Sequence, residues 1–329
     1  MPRVNCKLGI DLGATNSCCY CIRPNGSTEV ISLDNSKYLL PSIVGYKRDF
    51  PPQIASAARS FEDNGNRDYA RNFKRLIGRK FDDPIVQEVS KYCGAPVMDR
   101  GDGYPCYDLS AVEEGMKKTP VEVATDILKY IIEKAKTFNE TEIESICITI
   151  PARFDHNQRT ATINALKNCG IDENRIKVIS EPCAAALTYI KENPDYKEHI
   201  LILDFGCGTF DVSIVRISNG GMCVEAHRGD NNIGGLTIDM KLVDWIKEQY
   251  YEKAGERIPD VRGRKNIASK LLTRAREMKE SLSITDDATI SLDGISVNGD
   301  AMDSDDDNEI TITRLQFEKL IEDISARTQ

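Results

Sequence analysis

The apolar positions of this chain fall into a few short runs of strand type, and two of them set its organisation. Residues 200–203 (ILIL) and 212–215 (VSIV) flank Asp204, Gly206, Gly208, Thr209 and Asp211. Two β-rich runs joined by a glycine-containing turn predict a hairpin. The N-terminal stretch LGIDLGATNSCCYCI (8–22) carries the same pattern. There Asp11-Leu12-Gly13-Ala14-Thr15 echoes Asp204-Phe205-Gly206-Cys207-Gly208-Thr209, and a strand again follows. Two related hairpins so far apart predict two similar halves facing each other across a cleft, the usual place for a ligand.

Between and after the hairpins the period changes. A helix is expected over 53–63, and residues 67–80, with six basic side chains, place Tyr69, Phe73, Leu76 and Ile77 at helical spacing before a stop at Gly78. Residues 82–119 are polar, with scattered Gly and Pro, and read as a small irregular β subdomain inserted in the first half. Thr119, Pro120 and Glu122 open a helix to about Phe138, striped by Val123, Ile127, Tyr130 and Ile131. A strand over 145–150, a helix from an Asp155 cap to Gly170, a strand over 175–180 and a helix from Glu181-Pro182 to Tyr189 make an α/β lobe. In the second half a Gly pair (Gly234, Gly235) precedes a helix over 237–253 with Ile238, Leu242, Ile246 and Tyr250 on one face. A helix over 264–282 puts Arg276, Lys279 and Ser283 on a common face. Strands at 288–292 and Glu309–Thr313 follow, and Thr313 with Gln316 caps a last helix carrying Leu320, Ile321 and Ile324. The acidic run 300–309 lacks the Gly and Glu of a Ca²⁺ loop and reads as a solvated turn. The expected division is a lobe I of 1–199 (core about 1–38 and 119–199, insert about 39–118). Lobe II is 200–329 (core about 200–236 and 314–329, outer part about 237–313).

Composition narrows the function classes. At 329 residues, 40% hydrophobic and 29% charged, the chain fits two globular lobes. A net charge of −9 argues against an extended nucleic-acid surface. The eleven cysteines show no disulfide framework, and Cys18-x-x-Cys21 lies within a strand, so they read as reduced core residues. His156, His199 and His227 have no metal-ligand spacing. No signal core or bilayer-length apolar run is present, which makes a cytoplasmic location, without membrane partners, the expectation.

The turns carry the candidate chemistry. Asp204 and Asp211 at one hairpin mouth repel each other, and a cation offsets that repulsion; Mg²⁺ takes carboxylates and phosphate oxygens together. Turn amides at Gly206 and Gly208 can form an anion-binding concavity. Lys74 or Arg75 supplies a cation for a phosphate, and Glu181, at a strand-to-helix junction, can orient a water. No G-x-x-x-x-G-K-[ST] occurs, the glycines open no G-x-G-x-x-G, and Asp204-Phe205-Gly206 lacks the companions of a kinase D-F-G. Phosphoryl transfer by positioning remains.

IDLGATNS (10–17), FKRLIGRKF (73–81), ITIPARFDHNQR (148–159), ISEPCAAALTY (179–189), LDFGCGTFDVSIV (203–215) and IGG (233–235) resemble, in order, the nucleotide-binding domain of the seventy-kilodalton heat-shock (DnaK-type) chaperones. The resemblance implies an α/β actin-like ATPase fold, a duplicated ribonuclease-H-like architecture with four subdomains around a nucleotide cleft, incomplete at the C-terminus. It also implies ATP or ADP, Mg²⁺ and K⁺. By motif position Asp11, Asp204 and Asp211 would surround a hydrated Mg²⁺. Gly13, Ala14, Thr15, Asn16, Gly206, Cys207, Gly208 and Thr209 would form the phosphate loops. Lys74 would reach the terminal phosphate, Glu181 would help place the water, Gly234 and Gly235 would allow close approach to the nucleotide, and Lys279 and Ser283 would lie on its adenosine side. Pro151 and Arg153 fall near the family's interdomain switch.

Departures from the pattern are Ala14 for a Thr, Cys207 for a Gly, Arg276 and Glu280 for Glu and Arg, Arg153 for an aromatic, and Leu236-Thr237 for Glu-Asp. The family's later adenosine motif, linker and peptide-binding domain have no counterpart in this sequence. The expectation is therefore an ATP-binding and ATP-hydrolysing stress-response chaperone domain, with J-domain co-chaperones and exchange factors as partners and no client peptide bound by this chain alone. The alternatives are a non-catalytic, partner-capturing module of the same fold and a metabolite kinase of the actin-like superfamily.

Overall fold

A computed structural model describes residues 5–64, 66–139, 142–196, 198–218, 221–230, 233–262, 265–293, 295 and 309–328. The first hairpin pairs β1 (Asn5–Asp11) with β2 (Asn16–Ile22), with Asp11 opposite Cys18. Period-two alternation buries Cys6, Leu8 and Ile10 on β1 with Cys19 and Cys21 on β2. β3 (Thr28–Val30) and β4 (Leu40–Pro41) join β2 from the far side. An insert follows, holding α1 (Ser56–Asp63), α2 (Phe73–Leu76), α3 (Pro84–Ser90) and two small three-stranded sheets. The chain then returns through α4 (Pro120–Asn139), β5 (Glu142–Ile150), α5 (His156–Lys167), β6 (Ile176–Ser180) and α6 (Glu181–Glu192). β5 pairs parallel to β1, and β6 parallel to β5, so the sheet order is β6-β5-β1-β2-β3.

Local sequence sets the ends of these helices. The Thr119 hydroxyl accepts from the Glu122 amide at 3.2 Å, and the Glu122 carboxylate accepts from the Thr119 amide at 2.7 Å. Asp155 and Gln158 form the same reciprocal box on α5, and Gly170, at φ 80°, takes the left-handed turn after it.

The second hairpin is β7 (His199–Phe205) and β8 (Phe210–Ser218), extended by β9 (Gly221–Asp230) into a three-stranded antiparallel sheet. Its register sets Asp204 opposite Asp211. α6 lies across one face, with Ala186 against Ile200, Val215 and Ile217. Beyond it α7 (Gly235–Ala254) packs on α8 (Ile267–Ser281), burying Leu242, Ile246 and Tyr250 with Leu271, Leu272 and Ala275. β10 (Asp287–Ser291) and β11 (Glu309–Thr313) form a hairpin, and Thr313 caps α9 (Arg314–Leu320) in a box with Gln316. α10 (Glu322–Arg327) follows. α8 also contacts the insert, where the Tyr69 and Ser269 hydroxyls meet at 2.5 Å and Asn266 Nδ2 donates to the Gly94 carbonyl at 2.9 Å.

Four expectations change. Residues 67–80 are not one helix: Tyr69–Ala70 is a strand paired with Val44–Gly45, Asn72 is left-handed at φ 60°, and only α2 is helical. Tyr69, Phe73, Leu76 and Ile77 are all buried, but from separate elements, because sheet pairing at Tyr69 outweighs a weak helical preference. Residues 53–63 begin as a short strand, Gln53–Ile54, before α1. The stretch 82–119 contains α3, begun by Asp83 accepting from the Ile85 amide at 2.8 Å, besides its strands. α8 starts at Ile267, capped by Asn266, and ends before Ser283, which sits exposed in the following turn and shares no helix face with Arg276 and Lys279. Residues 300–308 of the acidic run lie outside the described residues.

Candidate functional site

A cavity of about 560 Å³ opens between the two hairpin turns. The first turn contributes Asp11, Gly13 and Ala14; the second contributes Asp204, Gly206, Cys207, Gly208, Thr209 and Asp211; Lys74 and Glu181 complete the polar wall, and Pro151 and Arg153 also line it. Thr15 and Asn16 instead line an adjoining cavity of about 100 Å³ that shares Ala14. Gly234, Gly235, Lys279 and Ser283 line neither.

Backbone contact explains the glycines. A Cβ on Gly13 would run into the Asn16 carbonyl oxygen. In the second turn the Gly206 amide donates to the Thr209 carbonyl at 3.0 Å, while Gly235 and Leu236 at the start of α7 donate to the carbonyls of Gly206 (3.0 Å) and Cys207 (2.6 Å). A Cβ on Gly234 would lie 2.6 Å from the Cys207 carbonyl oxygen. The Gly pair thus lets α7 brace the turn from behind. Arg75, buried, donates to the Gly208 carbonyl and would crowd any side chain there.

Lys74 and Arg75, equivalent candidates on charge alone, are separated by the fold. Both line the cavity, but Lys74 Nζ meets Glu181 Oε1 at 2.7 Å, with Glu181 held at the first position of α6, whereas Arg75 is taken by the Gly208 carbonyl. Burial pushes the Glu181 carboxyl above its ordinary range; Lys74 pulls it back, and Asp11 and Asp204 push it further up. Asp204 is raised as well, by burial first and then by the facing Asp211. Asp211 is only 7% exposed, and its Oδ1 has no partner among the described residues. Asp11 is exposed and accepts from Thr149 Oγ1 at 2.8 Å. No three His, Cys, Asp or Glu among the described residues stand close enough to grip a metal directly.

Some contacts had no sequence signal. Thr149 orients Asp11 from a strand far along the chain. Asp239, 1% exposed, takes both Arg276 Nε (3.1 Å) and Lys279 Nζ (2.5 Å), so these two basic residues of α8 are tied to α7. Lys279 also reaches the Gly235 carbonyl at 3.3 Å. No helix of the described residues is long and apolar enough to cross a membrane.

A family model described as "Hsp70 protein" matches residues 7–329. The "Heat shock cognate HSP70 protein" of Trypanosoma brucei brucei is 31% identical over 322 residues, covering 97% of this chain and 46% of that relative. The chain therefore spans about half the length of the curated relative. The match runs through both hairpins and the α/β crossover between them, and the actin-like ATPase fold that the family implies accounts for their duplication. By these measures the chain belongs to the Hsp70 family.

Proposed function

We propose that the chain binds ATP and ADP with Mg²⁺ in the interlobe cavity and hydrolyses ATP, as the nucleotide-binding part of a cytoplasmic heat-shock chaperone. One observation carries the reading. Lys74, Glu181 and the carboxylates Asp11, Asp204 and Asp211, drawn from separate stretches of sequence, meet around one cavity floored by two glycine turns. The residues fit a metal–nucleotide. The partnerless Oδ1 of Asp211 and the raised Asp204 describe carboxylates in want of a positive charge. Their spacing suits a hydrated Mg²⁺, which keeps several waters, better than direct ligation.

When bound, the metal–nucleotide supplies the phosphoryl group and the charge that activates it. The rest falls to this chain. Asp11, Asp204 and Asp211 hold the hydrated ion, with Thr149 fixing Asp11. The turns at Gly13–Thr15 and Gly206–Thr209 offer amides and hydroxyls to phosphate oxygens, and α7 and Arg75 keep the second turn rigid. Lys74 neutralises charge on the terminal phosphate. Glu181, poised beside Lys74 and pushed up in pKa, orients the attacking water and accepts its proton. K⁺, the four-subdomain division at the boundaries given above, and J-domain and exchange-factor partners belong to the same proposal.

Replacing Lys74 by Ala abolishes multiple-turnover phosphate release while the thermal midpoint stays within a few degrees; unchanged turnover overturns the hydrolytic reading. The methyl of Ala14 and the thiol of Cys207 in the cavity wall favour one second reading, a module that binds nucleotide without turnover. Calorimetric ATP binding with no phosphate release in a single-turnover assay would select it.

A further inference from the structure

The wall of the larger cavity carries four cations, Lys74, Arg75, Arg79 and Arg153, against four carboxylates, so its formal charges balance. The cations differ in whether they are engaged. Lys74 meets Glu181 at 2.7 Å, Arg75 donates to the Gly208 carbonyl, and Arg79 Nη1 meets Asp83 at 2.8 Å. Arg153 is exposed and has no ion pair or hydrogen bond among the described residues. Its backbone is nonetheless fixed. The Phe154 amide donates to the Pro151 carbonyl at 3.2 Å, which closes a turn with Ala152 and Arg153 at its centre. The Asp155–Gln158 box starts α5 directly afterwards, and Phe154 packs on the core. Gln158 is 4% exposed, and a Cβ on Gly78 would lie 2.6 Å from its Cα, so the turn is seated against the segment that carries Lys74. An arginine on an exposed turn is ordinarily just solvated. This one stands in the wall of a cavity whose proposed ligand ends in a phosphate, and a guanidinium offers that group two parallel N–H donors. The aromatic side chain that the family's pattern places at this position carries no positive charge.

We propose that Arg153 is a further catalytic residue of this chain, a second cation that contacts the terminal phosphate of ATP and the inorganic phosphate formed from it. Lys74 is held by Glu181, whereas the Arg153 guanidinium is left to fork onto two phosphate oxygens. In the hydrolysis proposed above, the water oxygen bonds to the terminal phosphorus, the bond to the bridging oxygen of ADP breaks, and Glu181 takes the proton of the water. Arg153 exchanges no proton; it offsets negative charge on the phosphoryl oxygens as the group is transferred. ADP lacks that group, so Arg153 discriminates ATP from ADP. The inference rests on the nucleotide reading and adds a residue to it.

The test is calorimetric titration of the full chain, at constant ionic strength, with Mg²⁺ and either ADP or a non-hydrolysable ATP analogue. Arg153→Ala weakens the analogue about tenfold or more, as loss of a charge-assisted hydrogen bond does, and leaves ADP within about twofold. Arg153→Lys, which keeps the charge but not the fork, falls between the wild type and Arg153→Ala. Inorganic phosphate added to the ADP complex follows the analogue. Lys167→Ala, which removes an exposed cation outside the cavity wall, changes neither ligand by more than about twofold. Each variant is first shown to keep its thermal midpoint; if Arg153→Ala does not fold, Arg153→Gln removes the charge with less loss of side chain. Both ligands bound by the wild type, with their affinity ratio unchanged in the variants, overturns this inference alone and leaves the nucleotide reading intact. Equal weakening of ADP and the analogue also overturns it, because the terminal phosphate is then not what Arg153 touches. No binding of either ligand by the wild type overturns the nucleotide reading and the role of Arg153 with it.

Discussion

The two hairpins share a sequence pattern and differ in what surrounds them. β1–β2 lies inside a sheet, with β5 parallel on one side and β3 and β4 on the other, and its inward residues Cys6, Leu8 and Ile10 are sealed by α4 and α5. β7–β8 has β9 beside β8 and, among the described residues, no strand beside β7. One face is covered by α6, while Leu201, Leu203 and Phe205 on the other are 60%, 65% and 45% exposed. The acids behave in the opposite sense. Asp11 of the well-packed hairpin is exposed and hydrogen-bonded, whereas Asp204 and Asp211 of the barer one are part-buried and buried and face each other. The first hairpin is thus built mainly for stability, and the second stores electrostatic strain at its mouth that a bound cation would relieve.

Chemical denaturation of the full chain breaks or sharpens this contrast most strongly through the apolar faces. Leu8→Ala should cost about 2–5 kcal/mol, as large-to-small changes at sealed core sites do. Leu201→Ser should cost about 0.5 kcal/mol or less, because most of that side chain already meets water; equal losses would erase the difference. The turns give the next effect. Gly13→Ala forces a methyl into the Asn16 carbonyl and should cost about 1–3 kcal/mol. Gly206→Ala meets only ordinary contacts, 3.7 Å from the Thr209 carbonyl oxygen and 3.8 Å from Asp204 Oδ1, and should shift stability by about 0.5 kcal/mol or less.

Asp204→Asn should stabilise the unliganded protein by about 0.5–2 kcal/mol at neutral pH, by removing repulsion with Asp211, while abolishing the rise in thermal midpoint that the proposed binding of Mg²⁺ with ADP would give the wild type. The smallest expected effect is in the pH profile. Because the folded Asp204 carboxyl titrates above its unfolded value of about 3.9, the folded state holds more protons across that interval. Stability contributed by this group is present below the unfolded pKa and falls as pH rises through the folded one. Glu181 contributes in the same direction. Asp204→Asn should flatten that descending limb in urea titrations above pH 4, and an unchanged limb would assign it to other groups.

How far the sequence was legible follows from the range of the interactions involved. The strand alternation of both hairpins, the Thr119–Glu122, Asp155–Gln158 and Thr313–Gln316 caps, and the stop at Gly170 all arise within a few residues. So does the segregation of Ile238, Leu242, Ile246 and Tyr250 on α7. These could be read directly. The region 67–80 could not, because Tyr69 is held by a strand partner at Gly45 and a hydroxyl at Ser269, neither of which local spacing reveals.

The same limit divides the candidate site. Residue identity and spacing alone determined that Asp11, Asp204 and Asp211 would sit at turn mouths beside glycines. Tertiary structure alone decided that Lys74 faces Glu181 while Arg75 turns to the Gly208 carbonyl, and that Gly234 and Gly235 brace the turn from outside the cavity. It also decided that Asp239 captures Arg276 and Lys279 of α8. The reason is physical. Hydrogen bonding within a turn and the periodicity of a strand or helix are local, whereas burial, Coulomb coupling and the choice among competing partners depend on which distant segments the packed core brings together.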